Sequence, residues 1–155
     1  MDKPTSAETV LKLAIQREIE AFNLYTDAAR SIPHADVRKT LEEIAEQERG
    51  HRIKLENILA GNVRWAVRMS RAQPVADLRL SDHLEGGSLE PNASYQDILL
   101  FAAKREKAAY DFYKAMAELV DDALIANVFE MLANEELKHK SWLEKMYEDE
   151  VYQEF

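Results

Sequence analysis

The sequence predicts an all-α protein, an antiparallel four-helix bundle made of two repeated helical hairpins joined by a long crossover. Three observations lead to this prediction. The 155 residues include only four glycines and four prolines, too few turn-forming residues for an all-β sandwich. Apolar residues recur at helical spacing in four stretches. One hairpin pattern occurs twice with an offset of 88 residues. The length suggests a single domain over residues 1–155.

The first hairpin contains helices 1 and 2. Helix 1 is expected over about residues 5–31, where Thr5 and Glu8 match a capping box at its start. Pro33 interrupts the helical pattern. Helix 2 is expected over about residues 36–60, followed by a glycine stop signal.

The second hairpin follows the same plan. Ser94 and Asp97 form another capping box before helix 3, and helix 4 follows a short turn and ends near Tyr147. The acidic residues after Tyr147 are expected to fray. The predicted boundaries are about 5–61 for the first hairpin, 62–93 for the crossover and about 94–147 for the second hairpin. One long connection between two hairpins is typical of ferritin-like bundles.

Charge, cysteine content and hydropathy exclude several classes of function. A net charge of −9 argues against nucleic-acid binding, because phosphates would be repelled. The absence of cysteine excludes disulfides and thiolate metal sites, so histidines and carboxylates must hold any metal. We see no signal-peptide pattern and no apolar run long enough to span a bilayer. We therefore expect a cytoplasmic protein without a membrane partner.

Ionisable residues occupy seam positions of all four helices, where apolar residues would be expected. Helices 1 and 3 each carry one glutamate in the apolar stripe, and helices 2 and 4 each carry a Glu-x-x-His motif. The six residues are Glu18, Glu48, His51, Glu106, Glu136 and His139. A spacing of three places the glutamate and histidine of each motif one turn apart on one helix face.

These six residues are predicted to form one layer across the bundle. Glu18 and Glu48 are equally distant from Pro33 in the first turn, and the second hairpin has the same spacing about Asp121. Four buried carboxylates would be very costly without cations, and two divalent ions would neutralise them. Known helix bundles use this pattern to hold two iron or manganese ions. A plain bundle must instead find partners for six buried groups. No His-Glu-x-x-His motif supports a zinc protease.

Four further polar residues are placed near this layer. Tyr25 and Tyr113 each follow their helix's glutamate by seven residues, and helical side chains lean toward the N-terminus. We expect each hydroxyl to hydrogen-bond to a glutamate of the layer; the alternative is a core tyrosine with a local partner. Gln47 and Glu135 precede the two histidines by four residues. They either accept the outer imidazole N–H across the bundle or lie exposed.

Residues 102–113 and 132–139 resemble the rubrerythrin family of the ferritin-like superfamily, and the first hairpin carries the same motifs. The resemblance implies a diiron-carboxylate domain that reacts with peroxide or dioxygen. It also implies that the six layer residues are the metal ligands. Two departures stand out. Rubrerythrins proper carry a Cys₄ rubredoxin domain, for which this sequence has no cysteine. They also carry a further glutamate where this sequence has Ala109.

The predicted function is therefore a diiron oxidoreductase that reduces hydrogen peroxide or dioxygen. An external donor such as a rubredoxin-like protein would supply its electrons. Glu48 and Glu136 are expected to bridge two iron ions, with Glu18 and Glu106 terminal. The alternatives are an iron-handling or storage protein with ferroxidase activity and a non-enzymatic zinc or manganese bundle, since these ligands do not choose the metal. We expect a homodimer or higher oligomer. The sequence leaves open the roles of Gly50 and of the crossover, residues 62–93.

Overall fold

The computed structural model describes residues 6–64, 75–90 and 92–153. These ranges contain four long helices and no strand. The helices are α1 (Ala7–Ser31), α2 (Ala35–Leu59), α3 (Tyr95–Leu119) and α4 (Ala123–Gln153). Helix α1 packs along α2, and α3 packs along α4, so the predicted bundle of two helical hairpins is confirmed. Among the described helices, none combines the length and apolar character that crossing a bilayer requires.

The start of α1 differs from the prediction by one residue. The N-cap is Ser6, whose hydroxyl accepts a hydrogen bond from the Thr9 backbone N–H at 3.2 Å. The capping box assigned to Thr5 and Glu8 is therefore wrong, and Thr5 itself lies outside the described residues. Adjacent threonine and serine residues both suit an N-cap, and a helix that begins at Ala7 selects the serine.

The predicted N-cap of the third helix is confirmed, and the structure adds a cap at the start of the fourth. The Asp97 backbone N–H donates to Ser94 Oγ at 3.1 Å at the start of α3. The Asp122 carboxylate accepts the backbone N–H groups of Leu124 and Ile125 at 2.9 and 3.1 Å. These bonds satisfy N–H groups that would otherwise lack partners in the first turn. They fix the turn between α3 and α4.

Helix α4 is longer than predicted, because it continues through the acidic segment to Gln153. No glycine or proline occurs after Tyr147 to end it. Asp149 and Glu150 lie close enough to Tyr95, in the first turn of α3, to raise the pKa of that tyrosine together with its burial. Carboxylates near the N-terminus of another helix are electrostatically favourable. The predicted fraying is therefore wrong for residues 148–153, and residues 154–155 lie outside the described part of the chain.

The apolar core consists of two clusters. One contains Leu11 and Leu55 of the first hairpin with Phe129 and Leu132 of the second. The other lies toward the opposite end of the bundle and contains Leu41, Leu99 and Leu143 among others. The predicted ionisable layer lies between the two clusters along the sequence of every helix. Its polar groups are therefore enclosed by apolar packing from both ends.

The crossover between the hairpins is tied to α4 by a buried lysine. Lys140 Nζ lies 2.7 Å from Asp77 Oδ1, 3.1 Å from Asp82 Oδ1 and 3.2 Å from Glu144 Oε2. Glu144 Oε2 also accepts the Ser81 backbone N–H and hydroxyl at 2.6 and 2.9 Å. This cluster holds residues 77–82 against the helix that carries Glu136 and His139.

Candidate metal centre

The structure brings the six predicted layer residues together in the middle of the bundle. None of their side chains is more than 4% exposed. The turns at Ile32–His34 and Val120–Asp122 lie where the equal spacing required them, so the four glutamates share one level. The six residues are Glu18, Glu48, His51, Glu106, Glu136 and His139.

The six side chains form two overlapping groups, each able to surround one cation. In each group, one potential ligand atom per residue lies within 4.8 Å of all the others. The first group, called here the His51 half, adds Glu18 and His51 to the shared pair Glu48 and Glu136. The second group, the His139 half, adds Glu106 and His139 to the same pair. Two glutamates shared between two groups is the arrangement expected of bridging ligands.

Whether a metal fits the site can be judged from the buried oxygen and nitrogen atoms that make no hydrogen bond and could bind a metal instead. Seven such atoms belong to the layer: Glu18 Oε2, Glu48 Oε1, His51 Nδ1, Glu106 Oε2, Glu136 Oε1 and Oε2, and His139 Nδ1. His51 Nδ1 lies 2.8 Å from Glu136 Oε1 without hydrogen-bond geometry. Unsatisfied buried polar atoms are rare and costly. Carboxylate and imidazole donors suit divalent iron, manganese or zinc, so the residues fit a pair of metal ions.

The outer nitrogen of each imidazole contacts a side chain on the partner hairpin. His51 Nε2 lies 2.7 Å from Glu135 Oε2, and His139 Nε2 contacts Gln47 Oε1. Both predicted acceptors are therefore in contact with the histidines, and Gln47 is in addition exposed. A hydrogen bond to the outer nitrogen leaves the Nδ1 lone pair directed into the layer. Partial burial of Glu135 raises its pKa, but the hydrogen bond with His51 and the nearby positive charges lower it to about 2.

The two tyrosines reach across the bundle to the glutamate of the opposite helix. Tyr25 on α1 donates to Glu106 Oε1 at 3.3 Å, and Tyr113 on α3 donates to Glu18. Both tyrosines are buried, and their burial together with the nearby carboxylates raises each pKa well above its ordinary value. Both hydroxyls therefore stay protonated and act as donors that orient Glu18 and Glu106.

The charge of the layer is unbalanced when no cation is bound. Burial and the neighbouring carboxylates raise the pKa of Glu48 and Glu136 well above 4.5. Burial lowers the pKa of His51, but its hydrogen bond to Glu135 and the nearby carboxylates of Glu18 and Glu48 outweigh this and raise it well above 6.5. The metal-free layer therefore retains protons to higher pH than the same side chains would in the unfolded chain. Divalent cations would replace these protons as the balancing charge.

A small cavity of about 20 Å³, roughly the space that one water molecule needs, lies against the layer between α1 and α3. Arg17 and Arg105 line it together with Ala21 and Ala109. The two arginines are 88 residues apart and each precedes a layer glutamate. The sequence analysis gave these arginines no role, although their repetition at the offset that relates the two hairpins could have indicated one. Ala109, at the position where the resemblance described above implies a further glutamate, lines this cavity with a short side chain.

The family comparison agrees with this geometry. The family model described as Rubrerythrin matches residues 9–78 and 97–154, which include all six layer residues. No curated protein gives a significant match, and no solved structure does. Because the matched residues make up most of the 155-residue chain, the chain belongs to the rubrerythrin family.

Proposed function

We propose that this protein binds two iron ions in the buried layer and reduces hydrogen peroxide with electrons from an external donor. The proposal depends on one observation. Seven buried oxygen and nitrogen atoms of the layer make no hydrogen bonds, and their residues form the two overlapping groups described above. Membership of the rubrerythrin family supports iron as the metal. Residues Glu18, Glu48, His51, Glu106, Glu136 and His139 would all act through the metals they hold.

The ligand roles follow from the two groups. Glu48 and Glu136 belong to both and are proposed to bridge the ions. Glu18 and Glu106 belong to one group each and are proposed as terminal ligands, each paired with one histidine. Four ionised carboxylates and two divalent ions give a layer with no net charge, which suits a site enclosed by apolar clusters.

The chemistry balances with two electrons. Iron held by the six layer residues would supply two electrons, which is the number that hydrogen peroxide takes, together with two protons, to give two waters. Tyr25 and Tyr113 hold Glu106 and Glu18 in place by hydrogen bonds. The cavity beside Ala109 gives a small oxidant a route to the layer. A rubredoxin-like protein or another one-electron donor would return the two electrons, because these residues contain no second redox centre.

Ferroxidase activity is the second candidate, and the absence of a seventh carboxylate at Ala109 favours it. A layer that lacks a seventh carboxylate has one fewer group to retain ferric iron. In this alternative the protein would oxidise Fe(II) with dioxygen or peroxide and pass Fe(III) on for handling or storage. Storage requires a closed shell of subunits. The oligomer mass would show such a shell directly.

Anaerobic loading followed by rapid mixing tests the proposal. Protein loaded with Fe(II) is expected to contain two ions per chain. Stopped-flow mixing with hydrogen peroxide and with dioxygen at equal concentration should show faster oxidation by peroxide, because two electrons complete that reaction whereas full reduction of dioxygen needs four. A dioxygen rate equal to or above the peroxide rate would favour the ferroxidase alternative. Failure to bind iron would exclude both.

A further inference from the structure

The two halves of the candidate metal centre differ in the side chain that contacts the outer nitrogen of each histidine. The offset of 88 residues relates His51 to His139, Glu18 to Glu106 and Glu48 to Glu136, so the donor atoms are the same in both halves. The same offset relates Gln47 to Glu135. The imidazole of His51 therefore faces a carboxylate, while that of His139 faces a neutral amide.

We propose that the half containing His51 binds its metal ion first and more tightly, because Glu135 and Gln47 make the two histidines unequal donors. This inference rests on the proposed dinuclear metal centre. It assigns Glu135 and Gln47 as positioning residues that act through the imidazoles and do not touch the metal themselves.

The contacts support a stronger donor at His51. Glu135 Oε2 accepts from His51 Nε2 at 2.7 Å, and a hydrogen bond to a carboxylate is roughly twice as strong as one to a neutral acceptor. A negative charge behind the imidazole also raises the basicity of Nδ1, the nitrogen that faces the layer. Gln47 offers only an amide oxygen, and it is exposed whereas Glu135 is partly buried. Water therefore competes more for the Gln47 contact.

A second contact keeps Glu135 in position. Lys54 Nζ lies 3.5 Å from Glu135 Oε1, so the other carboxylate oxygen is also engaged and the side chain is held from both sides. Lys54 offsets part of the charge of Glu135, but only Glu135 touches the imidazole. Changes to groups of this kind typically alter metal affinity by about 10- to 100-fold, which is enough to separate two binding steps.

Separate binding steps alone would not establish this inequality, because two cations that share Glu48 and Glu136 repel each other even in a symmetric site. The order in which His51 and His139 respond to added metal shows which half binds its ion first. Zinc is a suitable probe, since it is diamagnetic and takes imidazole and carboxylate ligands. The ¹⁵N signals of labelled histidines report each imidazole separately. The exposed His34 and His83 provide internal controls.

The experiment is a zinc titration of the metal-free full chain followed by histidine ¹⁵N NMR. In the wild-type protein, the His51 signals should change during the first equivalent of zinc and the His139 signals during the second. In Glu135→Gln the two histidines should respond together. In the double variant Gln47→Glu, Glu135→Gln the order should invert. Each substitution keeps the size of the side chain, and circular dichroism verifies the fold.

The outcomes separate this inference from the proposed function. Simultaneous response of both histidines in the wild-type protein would overturn the inequality, and so would an unchanged order in the double variant. In both cases two equivalents of zinc would still bind, and the dinuclear centre would stand. If neither histidine responded to zinc, the metal centre itself would be refuted and this inference with it.

Discussion

At the scale of single residues, the proposed bridging role of Glu48 and Glu136 gives the most direct prediction. Each belongs to both groups of ligand atoms, so loss of either carboxylate weakens both halves. We expect Glu48→Gln or Glu136→Gln to lower the metal content from two ions per chain to one or none. Metal analysis after anaerobic loading and desalting measures this content.

The matched control for this prediction is Glu43→Gln on the same helix as Glu48. Glu43 is exposed and belongs to neither group, so its loss should leave two ions per chain. Full metal content in both Glu48→Gln and Glu136→Gln would refute the bridging assignment, while a loss in Glu43→Gln as well would indicate a general effect on folding.

At the scale of helices and their connections, the buried Lys140 cluster provides a test of how the crossover is held. Replacement of Lys140 by methionine would leave Asp77, Asp82 and Glu144 without their shared cation. Removal of one partner from a buried ion pair typically costs about 3–5 kcal/mol. We expect Lys140→Met to lower the free energy of unfolding by about 3 kcal/mol, as measured by urea denaturation.

The repeat supplies an internal control for this measurement. Arg52 is the counterpart of Lys140 in the first hairpin and pairs with Glu56 at 2.9 Å, but these side chains are 30% and 53% exposed. Exposed pairs contribute about 0–1 kcal/mol, so Arg52→Met should cost no more than about 1 kcal/mol. Equal losses in the two variants would show that burial beneath the crossover adds nothing to the Lys140 cluster.

Replacement of Gly50 is expected to raise the free energy of unfolding, in contrast to the two variants above. It lies inside α2, where glycine costs about 1 kcal/mol relative to alanine, and an added Cβ would meet nothing within 4 Å. Gly50→Ala should therefore raise the free energy of unfolding by about 0.5–1 kcal/mol. A decrease in the same urea experiment would show that another surface packs against this position and needs the space.

Helical periodicity predicts the four helices and the ionisable layer because both depend on spacing within one hairpin. Glu18 and Glu48 share a level because the turn lies midway between them, which can be read along the chain. The Lys140 cluster could not be predicted in this way, since Asp77 and Asp82 come from the crossover and local spacing does not specify its path. The exposure of Gln47 and Glu135 likewise depended on how the two hairpins pack.

At the scale of the whole molecule, the layer links stability to pH. In the metal-free protein, burial and neighbouring charges raise the pKa of Glu48 and Glu136. The hydrogen bond to Glu135 and the nearby carboxylates of Glu18 and Glu48 raise the pKa of His51 despite its burial. The folded state then keeps protons that the unfolded chain releases, so stability falls as pH rises. This loss begins near pH 4.5 for the carboxyls and near pH 6.5 for His51.

Groups whose pKa is lowered on folding have the opposite effect on stability, and they have it in a more acidic pH range. The pKa of Glu135 is lowered to about 2, so its contribution to stability is complete above its ordinary value and is lost as the pH falls toward 2. Between about pH 5 and pH 8 the raised pKa values of Glu48, Glu136 and His51 therefore determine that stability falls as the pH rises.

We expect the metal-free protein to melt at a higher temperature near pH 5.5 than near pH 8. The zinc-loaded protein should show the reverse, because protons compete with the metal for the same donor atoms. At 1,000-fold saturation the metal adds about 4 kcal/mol to the free energy of unfolding, and this advantage should shrink in mild acid. Calorimetry of chelator-treated and zinc-loaded protein measures both trends. Identical melting of the two forms near neutral pH would contradict a buried charged layer that binds metal.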